Sequence, residues 1–173
     1  MAVTQQFARV TPDRLERCRA AALASPGAGP DWDPPADDTL DTDWALWGLL
    51  RYCRDRVPDP DPRPIALLDR AIHGDPGGDI GFLDHPDFYD GIDGPPRLLV
   101  PAVVSDISRA LDGVDLDEVL AELPTDSAEA AVACGFGGFS GDVRAYLVRH
   151  FTAARTFFHG AARQGMCVVV WCD

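Results

Sequence analysis

Between residues 73 and 97 the chain gathers the side chains best suited to bind or turn over a ligand: His73, Asp79, His85, Tyr89 and Arg97. An imidazole oriented by a carboxylate can act as a general base, and Asp84-His85-Pro86-Asp87 places both groups in one short segment. Neighbouring residues on a chain rarely face each other, so a working partner for His85 has to come from another element. Without one, these polar groups satisfy local backbone. The segment is rich in Gly, Asp and Pro, including Gly77-Gly78-Asp79-Ile80-Gly81, and reads as irregular. Loops of this kind converge near the carboxyl ends of strands in α/β folds, where ligands bind.

Other constellations carry less. Asp31, Asp33, Asp37, Asp38, Asp41 and Asp43 form an acidic stretch. Alternating carboxylates suit a hard cation, but Pro34-Pro35 interrupts the run, and the central Gly and final Glu of a calcium loop are missing. A solvated acidic loop is expected, and no metal site. Gly135-Phe136-Gly137-Gly138-Phe139-Ser140-Gly141-Asp142 precedes a long helix. Glycines at a helix start can cradle phosphate, yet no Lys follows, and Asp142 puts negative charge where the phosphate would sit. That charge suits the helix dipole instead. The same run is one residue short of the Gly-x-Ser-x-Gly nucleophile elbow, and too little chain follows to supply an acid and a histidine. Ser140 or Asp142 is therefore expected to cap the helix. His150 and His159 share that helix but point to nearly opposite faces at about 100° per residue. His73 falls at a helix C-terminus, which favours an imidazolium. Trp44 and Trp47, three residues apart beside the acidic stretch, are expected in the core, with Trp47 retained as a binding candidate at a groove. No motif calls for a cofactor and no catalytic set emerges. The five cysteines, Cys18, Cys53, Cys134, Cys167 and Cys172, form no disulfide framework and no Cys-x-x-Cys pair; they read as small buried hydrophobes in a reducing compartment.

These residues need elements to position them. Gln6 to Val10 reads as a short strand, and Thr11-Pro12 opens a helix with a capping hydroxyl and a proline at its first turn. Residues 26–43 read as a loop. A second helix is expected over about Asp43 to Arg56, and prolines at every second position make 57–64 a stiff extended connector. A third helix runs from Ile65 to His73. Arg97 to Val100 is extended, Pro101 opens a fourth helix, and Asp115 caps a short one at Leu116. Residues 125–141 stay ambiguous. Asp142 to Gln164 is a long amphipathic helix, and Met166 to Cys172 is an unbroken apolar run. Such a run fits a strand covered on both faces. The expected architecture is one α/β domain over residues 1–173: a small mixed sheet with a buried C-terminal strand, flanked by several helices.

Several segments, in this order, carry a resemblance. They are Phe7-Ala8-Arg9-Val10-Thr11-Pro12, then Trp44 with Leu49-Leu50, then Leu67-Leu68-Asp69-Arg70-Ala71-Ile72 followed by glycines. Pro96-Arg97-Leu98-Leu99-Val100-Pro101-Ala102-Val103 comes next, and Phe157-Phe158 through Trp171 closes the series. Together they resemble the YfbM-like family, a bacterial domain of unknown function. The resemblance implies a single α/β domain with helices around a small sheet, and supplies no catalytic residues. The chain departs from that pattern at Gln5, where the family often has Gly; at Trp47, where it tends to have His; and at Val100, where it commonly has Thr.

Composition bears on partners. The net charge is −13, and all fifteen basic residues are Arg. Such a surface repels nucleic acids and anionic membranes and can steer a basic protein. No apolar run reaches the ~20 residues of a membrane span. The first ten residues lack a basic and an apolar region, so no signal peptide is expected and the cytoplasm is the expected compartment. The leading expectation is a non-catalytic protein-binding domain, regulatory or immunity-type, that recognises a basic partner. The alternative is a small-molecule-binding domain or an enzyme with its site in 73–97.

Overall fold

The computed structural model describes residues 4–24, 31–56, 63–75, 80–85 and 92–173. Asp79 and Tyr89, and the proline connector at 57–62, lie outside the described residues. The chain runs β1 (Gln5–Val10), α1 (Pro12–Ala24), β2 (Thr39–Asp41), α2 (Ala45–Arg56), α3 (Arg63–His73), β3 (Ile92–Leu99), α4 (Pro101–Asp112), α5 (Leu116–Val119), α6 (Ser127–Cys134), α7 (Val143–Arg163) and β4 (Cys167–Cys172).

The sheet order is β2-β1-β4-β3, and every pairing is antiparallel. The expected mixed sheet is corrected on this point. The last strand does not follow a strand–helix–strand crossover into a parallel slot; it returns from α7 between β1 and β3, running opposite to both. β2 falls inside the stretch read as a loop, because three residues flanked by aspartates carry too little pattern to be seen. β3 begins five residues earlier than the extended segment read from Arg97. Its register shifts between Ile92 and Arg97, where Gly94 has φ +97° and Pro95-Pro96 offer no N–H to a ladder.

The apolar C-terminal run is explained by the two faces of the sheet. Successive strand residues point to opposite sides. Val168 and Val170 join Phe7 and Leu99 in the main core, against α2, α3, α4 and α7. Cys167 and Val169 join Val10, Leu98, Ile80 and Leu83 in a second core, packed by Leu15, Trp32, Phe82 and Trp171. α1 and the 3₁₀ turn Gly81–Leu83 meet over that second face. Val168, Val169 and Val170 are at most 3% exposed, as a strand covered on both sides requires.

Local signals set the helix ends. Thr11 Oγ1 accepts from the Arg14 N–H at 3.3 Å, Asp115 from Glu118 at 3.1 Å, and Asp142 from Ala145 at 2.9 Å. Asp142, then, caps α7. The ambiguous stretch holds α6, whose start Asp126 caps through Ala128 and Glu129. Val100 precedes α4 with no side-chain cap. Pro64 lies in the first turn of α3, where a missing N–H costs nothing.

Candidate functional site

Of the residues singled out between 73 and 97, the fold brings two together with Trp47. His73, Arg97 and Trp47 line a recess of about 50 Å³, with Gln5, Gly94 and Trp171. His73 donates from Nδ1 to the Asp69 carbonyl at 2.9 Å and lies equally near the Asp69 carboxylate. Its ring meets the edge of Trp47 at 4.5 Å between centroids. His85 is not among the residues lining this recess; it follows the 3₁₀ turn, and its N–H bonds the Leu83 carbonyl at 2.9 Å. Among the described residues no group of His, Cys, Asp and Glu is arranged to hold a metal ion.

The larger opening lies on the other side of Trp47. A cleft of about 600 Å³ runs between α2 and the turn joining α6 to α7. Trp44, Trp47, Phe136, Phe139 and Tyr146 form its walls, Asp43 and Arg51 its charged groups. Two devices aim the aromatics. First, α6 ends in a Schellman turn: Gly135 sits at φ +76°, its N–H bonds Val132 O at 3.1 Å, and the Phe136 N–H reaches Ala131 O at 2.8 Å. That turn throws Phe136 back across α2. Second, α2 carries Gly48 where the ring lands; a Cβ there would lie 2.0 Å from Phe136 Cζ. Phe136, Phe139 and Tyr146 then pack as a trio, with centroids 4.9 to 5.9 Å apart.

Asp43 stands at one end in the left-handed region, φ +50°, which Asp tolerates better than most residues. Its N–H bonds Asp41 Oδ1 at 2.6 Å, and its carbonyl accepts from the Gln5 N–H at 3.1 Å, so β1 fixes the turn. The Tyr146 hydroxyl accepts from the Trp44 N–H at 3.1 Å, and the Asp43 carboxylate lies within its electrostatic reach. Burial first, and then the neighbouring Asp43 carboxylate, push the Tyr146 phenol well above its usual range. His150 is held below the ordinary imidazole value, first by burial and then by the Arg149 charge, against the opposing pull of Asp43 and Asp41. Arg149 Nη2 lies 2.9 Å from His150 Nε2; a guanidinium only donates, so Nε2 is the accepting nitrogen. Burial pushes the Cys134 thiol up to about 11, so it stays protonated near neutral pH and is no nucleophile.

Trp47 is held from behind. Its Nε1–H donates to Gln5 Oε1 at 2.8 Å, and Gln5 Nε2 donates to the Trp171 carbonyl at 3.0 Å. Sequence reasoning marks Trp47 and the glycine-rich run separately. The cleft exists only when α6 and its turn bring Phe136 and Phe139 over α2. The signal that could join them is the pair of phenylalanines spaced by glycines, opposite a helix with Gly48 between Trp47 and Leu49.

Among the described residues, no helix is long and apolar enough to cross a membrane. No curated protein matches the chain. A solved structure, the crystal structure of a protein of unknown function, YfbM from Escherichia coli, superposes with a TM-score of 0.57 at 15% identity, covering 98% of this chain and 99% of that one. At that identity the likeness speaks for the fold. The profile described as "Domain of unknown function (DUF1877)" matches residues 1–171, and the chain therefore belongs to the DUF1877 family.

Proposed function

We propose that this chain is a non-catalytic binding domain, regulatory or immunity-type, that captures a basic protein through the cleft between α2 and the α6–α7 turn. The observation that carries the reading is an open, aromatic-walled cleft with a carboxylate at its end, on a chain of net charge −13. Trp and Tyr at such openings anchor protein interfaces, and the surrounding charge speeds encounter with a basic partner. Trp44, 37% exposed, is the side chain a partner meets first. The chemistry in and beside the cleft supports binding over catalysis: Cys134 and Tyr146 in its lining are held protonated, and His150, packed behind Tyr146, has its Nε2 taken by Arg149. The recess at His73 and Arg97, at about 50 Å³, is far below the ~300 Å³ at which ligand pockets begin, so an enzyme there gains little support. Five free, buried thiols suit a reducing compartment, and the cytoplasm is the proposed setting.

The test is affinity capture from an extract of the source cells on immobilised wild type and on Trp44→Ala. A basic protein retained by the wild type at low salt, released as salt screens the charges, and lost with Trp44→Ala is the expected result. Equal retention of every protein by both columns would overturn the reading.

A further inference from the structure

We propose that the cleft is built to take a guanidinium: an arginine side chain of the partner enters between the α2 tryptophans and the Phe139–Tyr146 wall and meets Asp43. This deepens the binding reading above and rests on it. Three observations support it.

The walls come first. Trp44 and Trp47 meet edge to face at 5.8 Å, and Phe139 and Tyr146 stand 4.9 Å apart across the other side. Aromatic faces attract cations, and a planar guanidinium also stacks on them, which an ammonium does not. The chain already uses this pairing: Arg155 lies 4.9 Å from the Phe151 centroid, Arg9 lies 5.7 Å from Phe157, and Arg149 lies 6.0 Å from Tyr146.

The counter-charge comes second. Asp43 lines the cleft together with Tyr146, whose phenol is a neutral group and brings no cation to the carboxylate. A carboxylate has about four lone-pair sites, enough for a two-pronged guanidinium.

The third is the arrangement of the remaining cations. Arg51 lies six residues into α2 from its first residue, Ala45, about 9 Å along the helix at 1.5 Å per residue, and pairs with Asp55 at 3.9 Å. Arg149 bonds His150, and His150 is held below the ordinary imidazole value. The Asp43 end is thus acidic, and Asp41, bonded to the Asp43 N–H, adds to it.

The experiment titrates the full chain with three capped tripeptides, Gly-Arg-Gly, Gly-Lys-Gly and Gly-citrulline-Gly, following the indole N–H signals of Trp44 and Trp47 by NMR. Citrulline keeps the shape of arginine and removes the charge. Saturable shifts with the arginine peptide, at least about tenfold weaker with citrulline and weaker with lysine, are expected. Asp43→Asn, which tolerates the same left-handed backbone, should remove the arginine preference, and Trp44→Ala should weaken all three. Equal binding of arginine and citrulline, or no shift with any peptide, overturns the guanidinium site while the capture experiment still decides the wider reading. If the arginine peptide binds but the captured partner binds Asp43→Asn as tightly as wild type, the cleft is a site for free cations and the docking assignment fails. If the peptide binds and no partner is captured, the wider reading fails.

Discussion

Gln5 is a polar residue buried in β1, and its carboxamide explains what it does there. Only 1% exposed, it joins Trp47 Nε1 to the Trp171 carbonyl and so fixes one wall of the cleft from the sheet side. Gln5→Leu keeps the bulk but takes from the part-buried Trp47 indole N–H its acceptor, which costs about 1–3 kcal/mol. Urea unfolding should register that loss, and the Trp47 indole signal should move or broaden. His150 makes a second residue-level prediction. Its folded-state value lies below the ordinary 6.5, so on acidification the unfolded chain takes up the proton first. The stability it contributes is intact above about pH 6.5 and is lost as the pH falls below that value. The melting temperature should decline from pH 7 to pH 5, and His150→Asn should flatten part of that decline.

At the scale of elements, most of the helices are legible in the sequence because their signals are local. Thr11, Asp115 and Asp142 cap where their side chains and the following apolar spacing indicate. Val100 shows the same rule by its breach: α4 starts without a side-chain acceptor. Val100 is 44% exposed, so Val100→Thr should add about 1 kcal/mol, read as a shifted denaturation midpoint with unchanged slope. Contact across elements is what a linear pattern does not contain. β2 is three residues long and invisible among aspartates; α6 is eight residues long, and its alanines suit a helix but lie on every side of it and mark no apolar face. The cleft depends on both the α6 turn and Gly48, so it is legible only as separate halves. Gly48→Ala tests their union. The substitution gains about 1 kcal/mol of helix propensity, while the new Cβ displaces the tip of the Phe136 ring. Thermal stability should change little, and the ring signals of Phe136 should lose their contact with Tyr146.

For the molecule as a whole, β4 is the strand on which two cores depend. Val168 belongs to one and Val169 to the other. Each Val→Ala should cost about 2 kcal/mol, and because the two side chains point into separate cores, the double variant should cost their sum within ~0.5 kcal/mol. A marked departure from additivity would mean that the faces are coupled through the strand. The order β2-β1-β4-β3 has a further consequence for how the protein is made. Synthesis proceeds from the N-terminus, so β1 and β3 leave the ribosome long before residues 167–172 exist to join them. Until then each presents an open edge of unpaired N–H and C=O groups, the surface that invites association with other nascent chains. Pairing with residues 167–172 closes both of these edges at once.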